Sequence, residues 1–336
     1  MRTLSAALLI LVAAGAAPAA APEGYHLLKT VPVPGDGGWD YVSVDPEARR
    51  VYVSHATRVE VLDADSGEIK GQIADTAGVH GIAVAPDLGR GFTSNGRSDT
   101  VTVFDLKTLK PLGTVPTGKN PDAILYDPAT HRVFAFNGRS ASATVMDAAD
   151  AKVAGTIDLG GQPESGAADG AGHVFVNLED KGEVLKLDAR DLKVLDRWPV
   201  APARLPVSMA IDARNHRLFV GCRSKALLVL DTDSGKAVAS LPIGDRVDAG
   251  AYDPETKLVF CSCGDGTVAV VRQETPDQYA VAETVKTRPG SKTMALDPKT
   301  HRLFLPGAEY KAAAAGAPRA RPTPVPGSFV VMIFGR

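Results

Sequence analysis

Tyr41-Val42-Ser43-Val44-Asp45-Pro46, followed shortly by Val51-Tyr52-Val53-Ser54-His55, is the stretch that decides the fold. Apolar residues alternate through the first segment, Asp-Pro closes it, and a basic residue leads into a second apolar run carrying an aromatic. This is the period-2 signature of two half-buried strands joined by a tight turn. The phrase returns as Ile82-Ala83-Val84-Ala85-Pro86 with Gly91-Phe92-Thr93, and as Ile124-Leu125-Tyr126-Asp127-Pro128 with Val133-Phe134-Ala135. It returns again as Ala167-Ala168-Asp169 with Val174-Phe175-Val176. Three more copies run through Ala210-Ile211-Asp212, Ala251-Tyr252-Asp253-Pro254 and Ala295-Leu296-Asp297-Pro298, and lead to Phe219, Phe260 and Phe304.

The turn positions are 45, 85, 127, 169, 212, 253 and 297, so the spacing runs 40, 42, 42, 43, 41 and 44. Two further strands fit in each unit, such as Thr100-Val101-Thr102-Val103-Phe104-Asp105 and Pro111-Leu112-Gly113-Thr114-Val115. Four short strands in a period of this length predict an all-β, seven-bladed propeller. The seventh unit ends at Phe329-Val330-Val331-Met332-Ile333-Phe334, its third strand, while Leu28-Lys29-Thr30-Val31-Pro32-Val33 reads like a fourth strand. The N-terminal strand is therefore expected to complete the last blade, which removes both open edges. One domain spanning 22–336 follows.

The units resemble YVTN-repeat propellers, and the YncE-like group of exported bacterial proteins in particular. The resemblance is carried by Phe-Ala-Phe-Asn at 134–137 and Tyr-Val-Ser-His at 52–55, and extends over all seven repeats. It implies a scaffold fold, and similar rings host lactonases, lyases, haem d1 enzymes and plain binding proteins. Leu178, Cys222, Cys263 and Gly307 stand where the motif has Asn, so those units have either lost a structural hydrogen bond or gained a site.

Residues 1–21 read as a signal peptide: Arg2, a short apolar run from Leu4 to Ala14, then the small residues Ala17-Pro18-Ala19-Ala20-Ala21. A mature chain starting between 20 and 22, periplasmic or secreted, is expected, and no later segment is apolar enough to span a bilayer. With 37 Lys and Arg against 39 Asp and Glu, the chain carries no polycationic footprint for nucleic acid or an anionic membrane. Residues 306–327 interrupt the period with Ala312-Ala313-Ala314-Ala315 and Pro318, Pro322, Pro324 and Pro326. This Pro/Ala-rich insertion in blade seven reads as a surface excursion or as a lid over its face.

Candidate chemistry lies where each blade's first strand enters the channel, because loops and channel mouth converge there. Five residues before the turn anchors stand Asp40, His80, Asp122, Glu164, Val207, Asp248 and Lys292. Crowded carboxylates repel, which favours a cation, an amine or acid–base work. The ring is thus either a solvated channel mouth or a ligand site, with Asp40, His80, Asp122 and Glu164 as metal ligands for a divalent ion. His55, in the Asn place of blade one, is placed to join His80. Asn95-Gly96-Arg97-Ser98 and Asn137-Gly138-Arg139-Ser140 are near-identical loops on the same face, and Arg223 follows Cys222. Arg97, Arg139 and Arg223 either bind a ligand's carboxylate or phosphate, or pair with the ring acids.

The other signals are weaker. Cys222, Cys261 and Cys263 are an odd set that reads as buried small apolar residues, with a copper or redox site as the alternative. His131, His216 and His301 precede Arg in turns on the opposite face and read as solvated. Covalent haem is excluded by the lack of Cys-x-x-Cys-His, and no nucleophile elbow or phosphate-cradling loop is present. Two functions remain: a monomeric binding scaffold for a small ligand, metal ion or periplasmic protein, and a metal-assisted lactonase-type hydrolase or lyase in the same funnel.

Overall fold

The computed structural model describes residues 24–311 and 324–336. The expected signal peptide and the middle of the blade-seven excursion lie outside the described residues. Strands gather into seven four-stranded antiparallel sheets, each a chain-consecutive meander except one. In the exception, His26–Pro32 pairs with Val330–Gly335 as the outer strand of the blade that also holds Ala295–Asp297 and Arg302–Gly307. The ring is closed by the N-terminal strand, as the repeat count requires. Pro306 and Gly307 belong to that blade's second strand, so the excursion starts two residues later than the sequence pattern suggested.

The repeated residues build the repeated parts. Asp45 Oδ1 accepts the backbone N–H of Glu47 and Ala48, at 3.1 and 2.9 Å, and Asp127, Asp212, Asp253 and Asp297 close their turns in the same way. The basic residue that follows takes the left-handed conformation, with φ between 52° and 56° at Arg49, His131, His216, Lys257 and His301. The turn thus spends its local polar side chains on the backbone. His131, His216 and His301 each lie beside a carboxylate on this face, the closest being His301 Nδ1 at 2.7 Å from Asp253.

The aromatic in each second strand is fully buried: Tyr52, Phe92, Phe134, Phe175, Phe219, Phe260 and Phe304 are all 0–1% exposed. They lie in the apolar layers between neighbouring blades, where each contributes roughly 1.5–3 kcal/mol of burial. These layers hold the blades in register around a channel lined by the first strands.

Candidate functional site

The ring residues sit at the entry of each first strand, and the backbone there is irregular. Register slips between Val79 and Ile82, Pro121 and Ile124, Pro163 and Gly166, Pro206 and Ser208, and Val247 and Ala249. Such bulges turn a side chain out of the sheet plane and leave a backbone N–H unpaired. A second-strand side chain takes up that donor in several blades: Ser54 Oγ accepts from Asp40 N, Ser94 Oγ from Gly81 N, and Asn177 Oδ1 from Ser165 N, all at 2.7–2.8 Å. The bulge is what aims His80, Asp122, Glu164 and Asp248 at the funnel, while Asp40 lies just ahead of its strand Val42–Asp45.

The ring divides into two clusters. In blades one to three, His80 Nδ1 is 2.7 Å from Asp40 Oδ2 and 3.7 Å from Asp122 Oδ1. One ligand atom from each of Asp40, His80 and Asp122 lies within 4.8 Å of the others. In blades four to seven, Arg223 reaches Glu179 at 2.6 Å, Asp248 at 3.3 Å and Glu164 at 3.7 Å, and Lys292 holds the other oxygen of Asp248. Glu164, grouped with the metal ligands by its position in the repeat, therefore faces Arg223 instead. Val207 is buried and contributes no polar group.

Electrostatics follow from this crowding. Burial pushes the Asp122 carboxyl up to about 6, opposed by His80 and reinforced by Asp40. The His80 imidazole is raised above its usual value, because its hydrogen bond to Asp40 and the negative charge of Asp122 outweigh burial. Burial, with Asp122 and Asp248 close by, drives Glu164 up to about 8 in spite of Arg223. The funnel has surplus negative charge and takes up protons to relieve it.

Beneath the ring, Tyr41 crosses the channel, and its hydroxyl donates to the Glu164 carbonyl in blade four at 3.1 Å. Its phenol is pushed well above its ordinary value by burial and by the surrounding carboxylates. Below it lies a cavity of about 190 Å³, lined by Ser43, Gly81, Ser165 and Ser208 among others. Above it opens a cleft of about 1170 Å³ bounded by Trp39, Asp40, His80, Arg97, Arg139 and Lys292. Tyr41 is thus the floor of the funnel. Sequence reading took it for an ordinary strand residue. Its signal was present: the same column holds Gly81, Ala123, Ser165, Ser208, Ala249 and Thr293, all small. Glu179 was also missed, because the second-to-third-strand loop of blade four lacks the Asn-Gly-Arg-Ser pattern.

His55 does not join His80. Its ring is fully buried, tilted against Phe329 with ring centres 4.7 Å apart, with Nδ1 at 3.1 Å from Arg58 Nη2 and 3.7 Å from Glu60 Oε1. The three cysteines are free and buried, and burial pushes the Cys222 and Cys263 thiols up to about 12. Such thiols are poor nucleophiles, and their burial is what small apolar residues would show. Arg97 and Arg139 are exposed and line the cleft, and neither forms an ion pair among the described residues.

No family model matches the sequence, and no curated protein matches it. Among solved structures, the chain is similar to a chain of the mitotic checkpoint complex, with a TM-score of 0.76 and 15% identity over 98% of both chains. It is also similar to a chain of Kuenenia stuttgartiensis hydrazine synthase, with a TM-score of 0.67 and 18% identity over 81% of this chain and 94% of that one. The chain is a seven-bladed β-propeller. At these identities the likeness concerns the propeller ring alone and carries no activity. No helix among the described residues of the propeller is long and apolar enough to cross a membrane.

Proposed function

We propose that this propeller is an exported binding scaffold, akin in its repeat to the YVTN, YncE-like group, that takes a divalent cation and a small ligand in its funnel. The observation that carries this reading is the convergence of Asp40, His80 and Asp122 from three blades, with ligand atoms within 4.8 Å, beside an open cleft. One imidazole with two carboxylates is a donor set suited to manganese or zinc, and it leaves positions for an incoming ligand. The cleft is concave, polar and about 1170 Å³ in volume, close to the upper size of small-molecule pockets, which favours a small ligand over a protein partner.

Titration of metal-free protein with Mn²⁺ and Zn²⁺ tests the reading. One-site uptake is expected, weakened at least about tenfold by Asp122→Asn or His80→Ala. Gly96→Ala is expected to act indirectly, because a Cβ there would stand 2.6 Å from His80 Nε2 and push the imidazole aside. Protons compete with the ion for raised groups on Asp122 and His80, so affinity should climb as pH rises from about 5 to 7.5. No stoichiometric uptake, or uptake indifferent to these variants, sinks the cation site. Export is checked by N-terminal sequencing of the mature chain, expected to begin between residues 20 and 22.

A second reading, metal-assisted lactone hydrolysis, draws support from one feature. His80 Nδ1 is held by Asp40, which orients the imidazole and frees Nε2 to act as a general base. In that reading Asp122, with Asp40, would hold the ion, since Glu164 and Asp248 are engaged by Arg223. Lactone cleavage by metal-loaded protein, abolished in His80→Ala, is the expected result. Failure to cleave any lactone with metal supplied removes it.

A further inference from the structure

Counter-ions are distributed unevenly around the funnel. Lys119 Nζ lies 2.7 Å from Asp99, Lys292 is held by Asp248, and Asp40 is held by His80. Arg97 and Arg139 line the same cleft with no carboxylate partner among the described residues. Two guanidinium groups therefore face the opening without a salt bridge among the described residues, although Asp40 and Asp99 line the same cleft.

The loops that carry them are firmly based. The Asn95 side chain donates to Thr102 at 2.8 Å and that of Asn137 to Thr144 at 3.0 Å. Gly96 N donates to Gly78 O at 3.0 Å, and Gly138 N to Asn120 O at 2.9 Å. Each loop thus presents its guanidinium from a fixed backbone, which lowers the entropy lost when a ligand is clasped. The corresponding loop of blade five shows what an arginine does at this rim: Arg223 engages carboxylates of Glu179, Asp248 and Glu164. In blades two and three the nearby carboxylates are taken by other groups, Asp99 by Lys119 and Asp122 by His80, and neither arginine forms a salt bridge among the described residues.

We infer that Arg97 and Arg139 form a subsite for a small dianion, a dicarboxylate or phosphate monoester, beside Asp40, His80 and Asp122. The inference rests on the funnel being the working face, but it does not need the cation. Planar guanidinium forks from two blades match two anionic oxygens or two carboxylates, and a monoanion would leave one fork unmatched.

Trp39 lines this cleft and stacks on Phe329 at 4.8 Å, so its fluorescence reports on the subsite. Succinate and inorganic phosphate are titrated at fixed ionic strength with EDTA present, and acetate serves as the monoanion control. Saturable binding of at least one dianion, about tenfold or more tighter than acetate, is expected. Arg97→Gln and Arg139→Gln should each weaken it about tenfold, and the double variant should abolish it with an unchanged melting curve. Dianions binding no better than acetate, or binding undiminished to the double variant, overturn the inference. Mn²⁺ titration of the double variant separates the two sites: retained metal uptake with lost succinate or phosphate binding is expected. Joint loss of both would show that no distinct subsite exists. A protein that takes up no Mn²⁺ yet binds succinate through the arginines would sink the cation reading alone.

Discussion

At the end of the second strand in six of the seven blades, one side chain meets a side chain two residues along the third strand, and the two are matched in kind; the seventh blade has Gly307 there. Asn95 meets Thr102 and Asn137 meets Thr144 through hydrogen bonds of 2.8 and 3.0 Å. His55 meets Glu60 at 3.7 Å, with Arg58 beside them. Where the first partner is apolar so is the second: Leu178 packs with Leu185, Cys222 with Leu228, and Cys263 with Ala269 in the same core layers. At Leu178, Cys222 and Cys263 the departure from Asn is therefore a swap of a polar pair for an apolar one. Burying one polar partner alone leaves it unsatisfied, at about 1–3 kcal/mol. Asn95→Leu should thus destabilise by about 2 kcal/mol, since the buried Thr93 hydroxyl loses the Asn95 Oδ1 acceptor it reaches at 2.9 Å while Thr102 keeps the Asp75 carbonyl, and adding Thr93→Val should recover part of that loss. A urea-unfolding cycle measures the coupling, and strictly additive losses would show the pair to be independent.

The element scale is where the chain is most readable. Alternation, Asp-Pro turns and one buried aromatic per unit are local and repeated, so seven weak signals reinforce one another and the blade count follows from residue spacing. The funnel residues were legible as a column of the repeat for the same reason. Their partners were not, because the bulges that turn Asp122 and Glu164 out of the sheet leave no mark in a single strand's pattern. Nor does a column reveal which members touch: Glu164 faces Arg223 instead of His80 because loops of unequal sequence fill the space between blades. The closing strand His26–Pro32 is the element whose removal is most informative. It buries Val31 to 7% exposure and covers the edge of Val330–Gly335. Val31 together with Val33, 1% exposed just beyond the strand, contributes about 3–6 kcal/mol of burial. A chain starting after Val33 should therefore melt far below the full mature chain, or aggregate through the open edge. Matching melting temperatures for the two would show that the ring closes without it.

At the scale of the whole ring, blade one is tied to blade four across the channel by Tyr41, and the tie ends on a carboxylic acid raised far above its ordinary value. Glu164 sits among Asp122, Asp248 and Glu179 with Arg223 as its counter-charge, and its carboxyl is raised to about 8. In the unfolded chain the same group titrates near 4.5. Between those two values the folded protein holds a proton on Glu164 that the unfolded chain has released, so the folded state binds more protons. Stability must then fall as pH rises through this window, by up to about 1.4 kcal/mol per pH unit from this one group. Below about 4.5 both states are protonated and the contribution is fully present; above about 8 it is gone. Glu164→Gln keeps the size and a neutral head group at every pH, and so removes this slope. The variant should match the parent near pH 4.5 and exceed it by a growing margin toward pH 8.5, measured by urea unfolding at several pH values. Parallel stability curves for parent and variant across that range would mean that Glu164 is ionised in the folded ring at neutral pH, with Arg223 compensating its charge in full.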